Sequence, residues 1–261
     1  MEVLILKNAF QVAEKGAELV STFLQENPRS VLGLATGSTP VEMYKILVAK
    51  HHAGELTFRD VISFNLDEYV GLGPKHPCSY HQYMAKNFFD HVDIPSRQIH
   101  IPDGLTQNIP AFCRKYEGEI RKAGGIDLQV LGIGHDGHIG FNEPSSSLSS
   151  RTRIKTLTRR TVELNKRFFP KSDLIPHHVI TMGVGTILNA RCCLLLAYGK
   201  NKAAAIAKMV EGPIAAMVPA SALQLHPKTM IVIDQAAASR LQLREYYKKV
   251  YENKPEWQRY E

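Results

Sequence analysis

Long apolar runs are missing from this 261-residue chain. No stretch approaches the roughly 18 residues of a membrane span, and the longest, such as Cys193 to Tyr198, suits a buried strand. The reading therefore has no membrane partner. Cysteine is scarce: Cys78, Cys113, Cys192 and Cys193 form no CxxC pair and read as buried thiols rather than disulfides. GxxxxGK[ST] is absent, so ATP use is not implied, and HExxH is absent, which leaves no helical pair of metal ligands. Linkers, repeats and low-complexity segments are also lacking, and the expectation is a single domain over 1–261. The opening Met-Glu-Val-Leu-Ile-Leu-Lys has an acid at position two and an apolar stretch too short for a signal-peptide core, so a cytoplasmic location is expected.

Hydrophobic content of 44% and charged content of 22% are those of a globular protein with a substantial core. The net charge of +7 is scattered without an RNA- or DNA-binding motif. It suits small anionic substrates equally well, and no nucleic-acid partner is expected.

Strand and helix patterns alternate throughout, which predicts an α/β fold with a mainly parallel, Rossmann-like sheet flanked by helices. Strands are expected at Val3 to Leu6, Ser30 to Leu34, Val61 to Leu66, Gln98 to Ile101, Asp127 to Ile133, Arg151 to Thr158, Arg191 to Tyr198 and Thr229 to Asp234, with a strand–turn–helix unit from Ile180. Helices are expected from Asn8, where Gln11 suggests a capping box, and over Val41 to His52, Tyr80 to His91, Ile109 to Ala123, Thr161 to Phe169 and Gly199 to Val210. In the first helix Phe10, Ala13, Ala17, Val20 and Leu24 recur at helical spacing and predict its core face. A Tyr- and Lys-rich tail through Glu261 reads as a packed terminal helix.

The densest chemistry lies in Leu131 to Pro144, LGIGHDGHIGFNEP. It follows an apolar strand, so it sits at a carboxyl edge, where open α/β sheets bind ligands. Asp136 precedes His138 by two residues and Glu143 follows by five, so an irregular loop could bring both carboxylates to the imidazole. A carboxylate fixes the tautomer and stabilises the cation, as a proton shuttle requires. A glycine-rich turn with purely structural polar groups is the alternative. His135 is a loop residue near the site.

Two more strand ends carry candidates. At Ala35-Thr-Gly-Ser-Thr-Pro40 a glycine, hydroxyls and a helix-starting proline could present amides to a phosphate; equally, Thr39 and Glu42 could form a capping box with Pro40 at the first helical position. Asp67 ends the third strand, with Glu68 pointing elsewhere, and could be a base for a carbon-bound proton or a turn cap. Lys200 and Lys202 near a helix start are disfavoured by the dipole and want an anion. The basic run Arg151, Arg153, Lys155, Arg159 and Arg160 reads by default as a solvated face.

Together ATGSTP (35 to 40), NLDEYVGL (65 to 72), LGIGHDGHIGFNEP (131 to 144), SRTR (150 to 153) and ALQLHPK (222 to 228) resemble glucosamine-6-phosphate deaminases, in the right order over nearly the whole chain. The resemblance implies conversion of glucosamine 6-phosphate to fructose 6-phosphate and ammonia without an organic cofactor or metal. It implies that His138 moves a proton in ring opening, that Asp136 and Glu143 orient and tune it, and that Asp67 takes the C2 proton. Phosphate would lie on Gly37, Ser38 and Thr39, with Arg167 and Lys202 as basic partners. Some members are hexamers activated by N-acetylglucosamine 6-phosphate between subunits; Ser146, Arg153, Lys155 and Thr156 match that site, and Tyr246 or Tyr247 its C-terminal tyrosine. The rivals are a 6-phosphogluconolactonase-like hydrolase and a non-catalytic sugar-phosphate sensor.

Overall fold

The computed structural model describes residues 1–170 and 175–255. Among these the strands are β1 (Glu2–Leu6), β2 (Val31–Leu34), β3 (Ile62–Asn65), β4 (Asp67–Tyr69), β5 (Ile99–His100), β6 (Leu128–Leu131), β7 (Arg153–Thr156), β8 (His178–Thr181), β9 (Cys192–Ala197) and β10 (Thr229–Asp234). The α-helices are α1 (Ala9–Glu26), α2 (Val41–His52), α3 (Tyr80–Asn87), α4 (Ile109–Lys122), α5 (Arg159–Asn165), α6 (Val184–Leu188), α7 (Ala203–Val210) and α8 (Arg244–Glu252).

Seven strands form one parallel sheet in the order β1-β10-β9-β6-β2-β3-β5. Its central strands are buried on both faces because their aliphatic side chains alternate between two helical layers. Leu32, Leu34, Val130 and Val232 pack with α1 and α2, while Val31, Leu131, Ile231 and Ile233 pack with α4, α6 and α7. After β2 the chain adds strands on one side; from β6 onward it adds them on the other. The loops following β2 and β6 therefore flank the point where strand order reverses, the usual ligand crevice of such sheets.

A second, antiparallel sheet, β4-β8-β7, covers this edge. Asp67 was expected to end the third strand. Instead the chain turns at Leu66, and Asp67 opens β4 opposite Thr181. The Met182 amide donates to the Leu66 carbonyl at 2.7 Å and joins the two sheets at that corner.

Two local expectations fail. Phe10 is 60% exposed, because it lies in the first turn of α1, just beyond the end of β1; Val12, Ala13, Ala17, Val20 and Leu24 form the buried face. The Thr39–Glu42 capping box does not form: α2 is capped by Pro40 without a side-chain bond, and Glu42 pairs with Lys45. The part of the expected terminal helix beyond residue 255 lies outside the described residues.

Gly183 sits where β8 leaves the second sheet, and a methyl there would collide with the Ser150 carbonyl. Gly183→Ala should destabilise the protein by about 1–3 kcal/mol, the usual penalty for overpacking. Denaturant unfolding measures it, and an unchanged midpoint would contradict this close approach.

Candidate active site

The loop after β6 is shaped around one imidazole. Gly134 has no Cβ because the His138 ring occupies that space, and Gly137 and Gly140 adopt φ of +91° and +54°. Their left-handed dihedrals fold His138 back over its own loop. Its Nδ1 lies 2.7 Å from Asp136 Oδ1 and 3.5 Å from Glu143 Oε2. Carboxylates only accept, so Nδ1 carries the proton and Nε2 is left for other chemistry.

Both acids are held in turn. Asp136 also accepts from the His138 amide at 3.2 Å, and buried Glu143 accepts from the Thr158 amide at 3.3 Å. Burial by itself would lower the His138 pKa, but the hydrogen bond to Asp136 and the Glu143 carboxylate overcome it and push it up to about 9. Asp136 moves oppositely: burial would raise its pKa, yet His138 holds it well below the usual carboxylate range.

Asp67 is the other unusual acid. It is 5% exposed, and among the described residues its carboxyl takes no hydrogen bond, so it is not a cap. Burial and the neighbouring Glu68 raise its pKa to about 8, against a lowering by His138. A methyl on Gly140 would lie 3.5 Å from Asp67 Oδ2, so the histidine loop passes directly beside this carboxyl. Glu68 points elsewhere, as expected: it accepts from the amides of Tyr69, Tyr80 and His81 and from the His81 ring. It ties β4 to the start of α3.

The loop after β2 presents the amides of Thr36, Gly37, Ser38 and Thr39, which among the described residues donate to no protein acceptor. Gly37 has φ +102°. Lys202 reaches this edge from the 3-10 turn after β9, donating to the Ile133 carbonyl at 2.5 Å. Its pKa is lowered, chiefly by burial and then by the Arg167 charge, which sets Arg167 and Lys202 in one electrostatic neighbourhood. Arg167 is exposed and lies over the Phe168 ring at 4.6 Å.

The other matched residues lie around β7. Arg153 donates to Asn142 Oδ1 at 2.8 Å, and Lys155, on the same face, senses both Arg153 and Glu143. Thr156 falls on the opposite, exposed face of the strand and is not brought to them. Ser146 is buried, and among the described residues its hydroxyl has no hydrogen-bond partner. Tyr247 donates to Glu211, whereas Tyr246 is 61% exposed.

His135, Asp136 and His138 bring ligand atoms within 4.8 Å of one another, a spacing that could hold a cation. Nδ1 of His138, however, is already committed to Asp136. Sequence reasoning passed over Gly134 as a steric requirement and Thr158 as a Glu143 donor. The first had a signal in its distance of four residues from His138; the second, fifteen residues from Glu143, had none.

Asp136→Asn removes the main charge that stabilises the imidazolium. The His138 titration midpoint, read by NMR, should then fall from about 9 toward the ordinary imidazole value. A midpoint that stays in place would assign the shift to Glu143 instead.

The profile of the glucosamine-6-phosphate isomerase/6-phosphogluconolactonase family matches residues 7–232. The glucosamine-6-phosphate deaminase of Shewanella woodyi is 54% identical over 250 residues, covering 96% of this chain and 95% of its own. A solved structure described as a monomeric glucosamine-6-phosphate deaminase superposes with TM-score 0.90 at 42% identity, over 92% of this chain and all of that one. A 6-phosphogluconolactonase from Trypanosoma cruzi, at TM-score 0.73 and 18% identity over 92% and 97% of the two chains, shares the fold. With this match over nearly its full length, the chain belongs to the glucosamine-6-phosphate deaminase family.

Proposed function

We propose that this chain is one catalytic domain that converts glucosamine 6-phosphate and water to fructose 6-phosphate and ammonia, without an organic cofactor or metal. The observation that carries this reading is Asp67, a buried carboxyl that among the described residues takes no hydrogen bond, beside a loop built around a charged histidine. Such a carboxyl is available to a substrate and poorly solvated, which strengthens it as a base.

The C2 proton of an amino sugar is only weakly acidic until a carbonyl stands at C1. Ring opening therefore comes first: protonated His138 gives its Nε2 proton to the ring oxygen and takes one back from the C1 hydroxyl. Asp67 then takes the proton from C2, the electrons pass through the C1–C2 bond to the carbonyl oxygen, and that oxygen takes up a proton to give an enolamine. Protonation at C1 leaves an imine at C2. Water adds to that imine and ammonia departs. The phosphate, held by the amides of Gly37, Ser38 and Thr39 with Lys202 and Arg167, supplies binding energy that fixes C2 near Asp67.

A lactone hydrolase has no carbon-bound proton to remove, so the buried Asp67 would have no task in it. A sensor would need no base either.

Asp67 acts ionised and His138 acts protonated. The kcat/KM should therefore rise with pH as Asp67 ionises near 8 and fall as His138 loses its proton near 9. Asp67→Asn should still bind sugar phosphate but lose about 10²–10⁴ in ammonia release, together with exchange of the C2 proton into D2O. Retained exchange would place the base elsewhere, and wild-type protein that binds the substrate without releasing ammonia would favour the sensor.

The activator reading rests on Arg153 and Lys155 sharing one face of β7, beside Glu143, so that an anion there would act on His138's own partner. With Ser146 it would form a hexamer's intersubunit site for N-acetylglucosamine 6-phosphate, from which Thr156, on the other face of β7, is left out. Velocity curves should shift to lower substrate on adding that compound, and light scattering should give about six times 29.2 kDa. A 29.2 kDa species with unresponsive hyperbolic kinetics, in line with the relative described as monomeric, would overturn both.

A further inference from the structure

Three tyrosine hydroxyls converge on the carbonyls of the loop after β2. Tyr44 on α2 donates to Ala35 O at 2.7 Å, Tyr83 on α3 to Gly37 O at 2.5 Å, and Tyr198, just beyond β9, to Ser38 O at 3.0 Å. Among the described residues there is no cis peptide, and in a trans peptide the carbonyl and the following N–H point in opposite directions. Each tyrosine that captures a carbonyl therefore turns the next amide away from itself. The amides so turned are those of Thr36, Ser38 and Thr39, and among the described residues they donate to no protein group.

Free amides on adjacent peptides suit a phosphate only if the peptide planes are fixed beforehand, because a glycine at φ +102° leaves the loop other conformations. The helix does not fix them, since Thr39 makes no cap. The tyrosines do. Burial pushes the Tyr83 and Tyr198 hydroxyls above their ordinary pKa, so both remain neutral donors. Tyr198 also begins the turn that carries Lys202, whose ammonium holds the Ile133 carbonyl in the histidine loop. One short segment thus joins the two loops on either side of the reversal in strand order.

We propose that Tyr83 and Tyr198 are positioning residues that aim the Ser38 and Thr39 amides at the phosphate of the substrate. This rests on the reading above that the loop holds a phosphate. Neither tyrosine touches the sugar in this scheme; both act through the peptide behind the ligand.

The test is Tyr83→Phe and Tyr198→Phe in the full chain, each titrated calorimetrically with inorganic phosphate and assayed with glucosamine 6-phosphate. One lost hydrogen bond in this role should weaken phosphate binding about two- to tenfold per variant. The KM for the sugar phosphate should rise by the same factor, with a smaller change in kcat. Should Tyr83→Phe fold poorly, Tyr198→Phe, at a half-buried position, carries the test. Phosphate affinity unchanged in the folded variants, or a fall in kcat without a rise in KM, would overturn the proposal. Wild-type protein that binds phosphate but releases no ammonia would overturn the deaminase reading alone, because the phosphate titration judges the tyrosines without turnover.

Discussion

The attraction between the His138 imidazole and the carboxylates around it is the interaction on which the site depends. A buried cation is expensive unless its charge is met within hydrogen-bonding distance. Asp136 meets it at 2.7 Å and Glu143 at 3.5 Å. That pairing fixes which ring nitrogen carries the proton, and it keeps the ring charged where burial would have neutralised it. The same positive charge draws on Asp67, whose own burial and neighbour Glu68 push the other way. Two groups that would both be neutral if buried alone are held as a poised pair.

The small antiparallel sheet makes this pairing possible. A parallel sheet by itself delivers loops to its carboxyl edge but leaves them in water. Here β4 brings Asp67 under cover, the Thr181 hydroxyl at the end of β8 accepts from the Phe141 amide at 3.1 Å, and the segment after β7 supplies the Thr158 amide to Glu143. Asn142 links the layers, donating to the Ile139 and Met182 carbonyls and accepting from Arg153. Glu143 is thereby removed from solvent and Asp136 partly so, which strengthens each electrostatic contact. The edge of β7 that carries Arg153 and Lys155 belongs to the same scaffold, so charge bound there would bear directly on Glu143.

On the other flank of the strand reversal the chemistry is neutral. Backbone amides are the donors, and tyrosine hydroxyls, drawn from α2, α3 and the end of β9, orient them from behind. In the proposed scheme an anion would be met there by dipoles held in advance, with Lys202 and Arg167 supplying the full charges. His138 is the cation that acts on Asp67, lowering its pKa against burial and Glu68.

The sequence by itself determined the alternation of strands and helices and the placing of the three candidate loops at strand ends, and it put Asp136 and Glu143 within reach of His138. Those features are local: hydrophobic period reports the element, and a spacing of two or five residues within a loop limits what can meet. It was misled where local pattern and tertiary position diverge. Phe10 fits the helical stripe but overhangs the sheet, and Thr39 has the spacing of a cap but no capping bond. Only the tertiary structure decided that Asp67 leaves the main sheet to become a buried acid, that Thr158 supports Glu143, and that Tyr198 holds a loop 160 residues upstream. Burial and long-range donors are properties of how layers stack, and no period or motif in the chain encodes them.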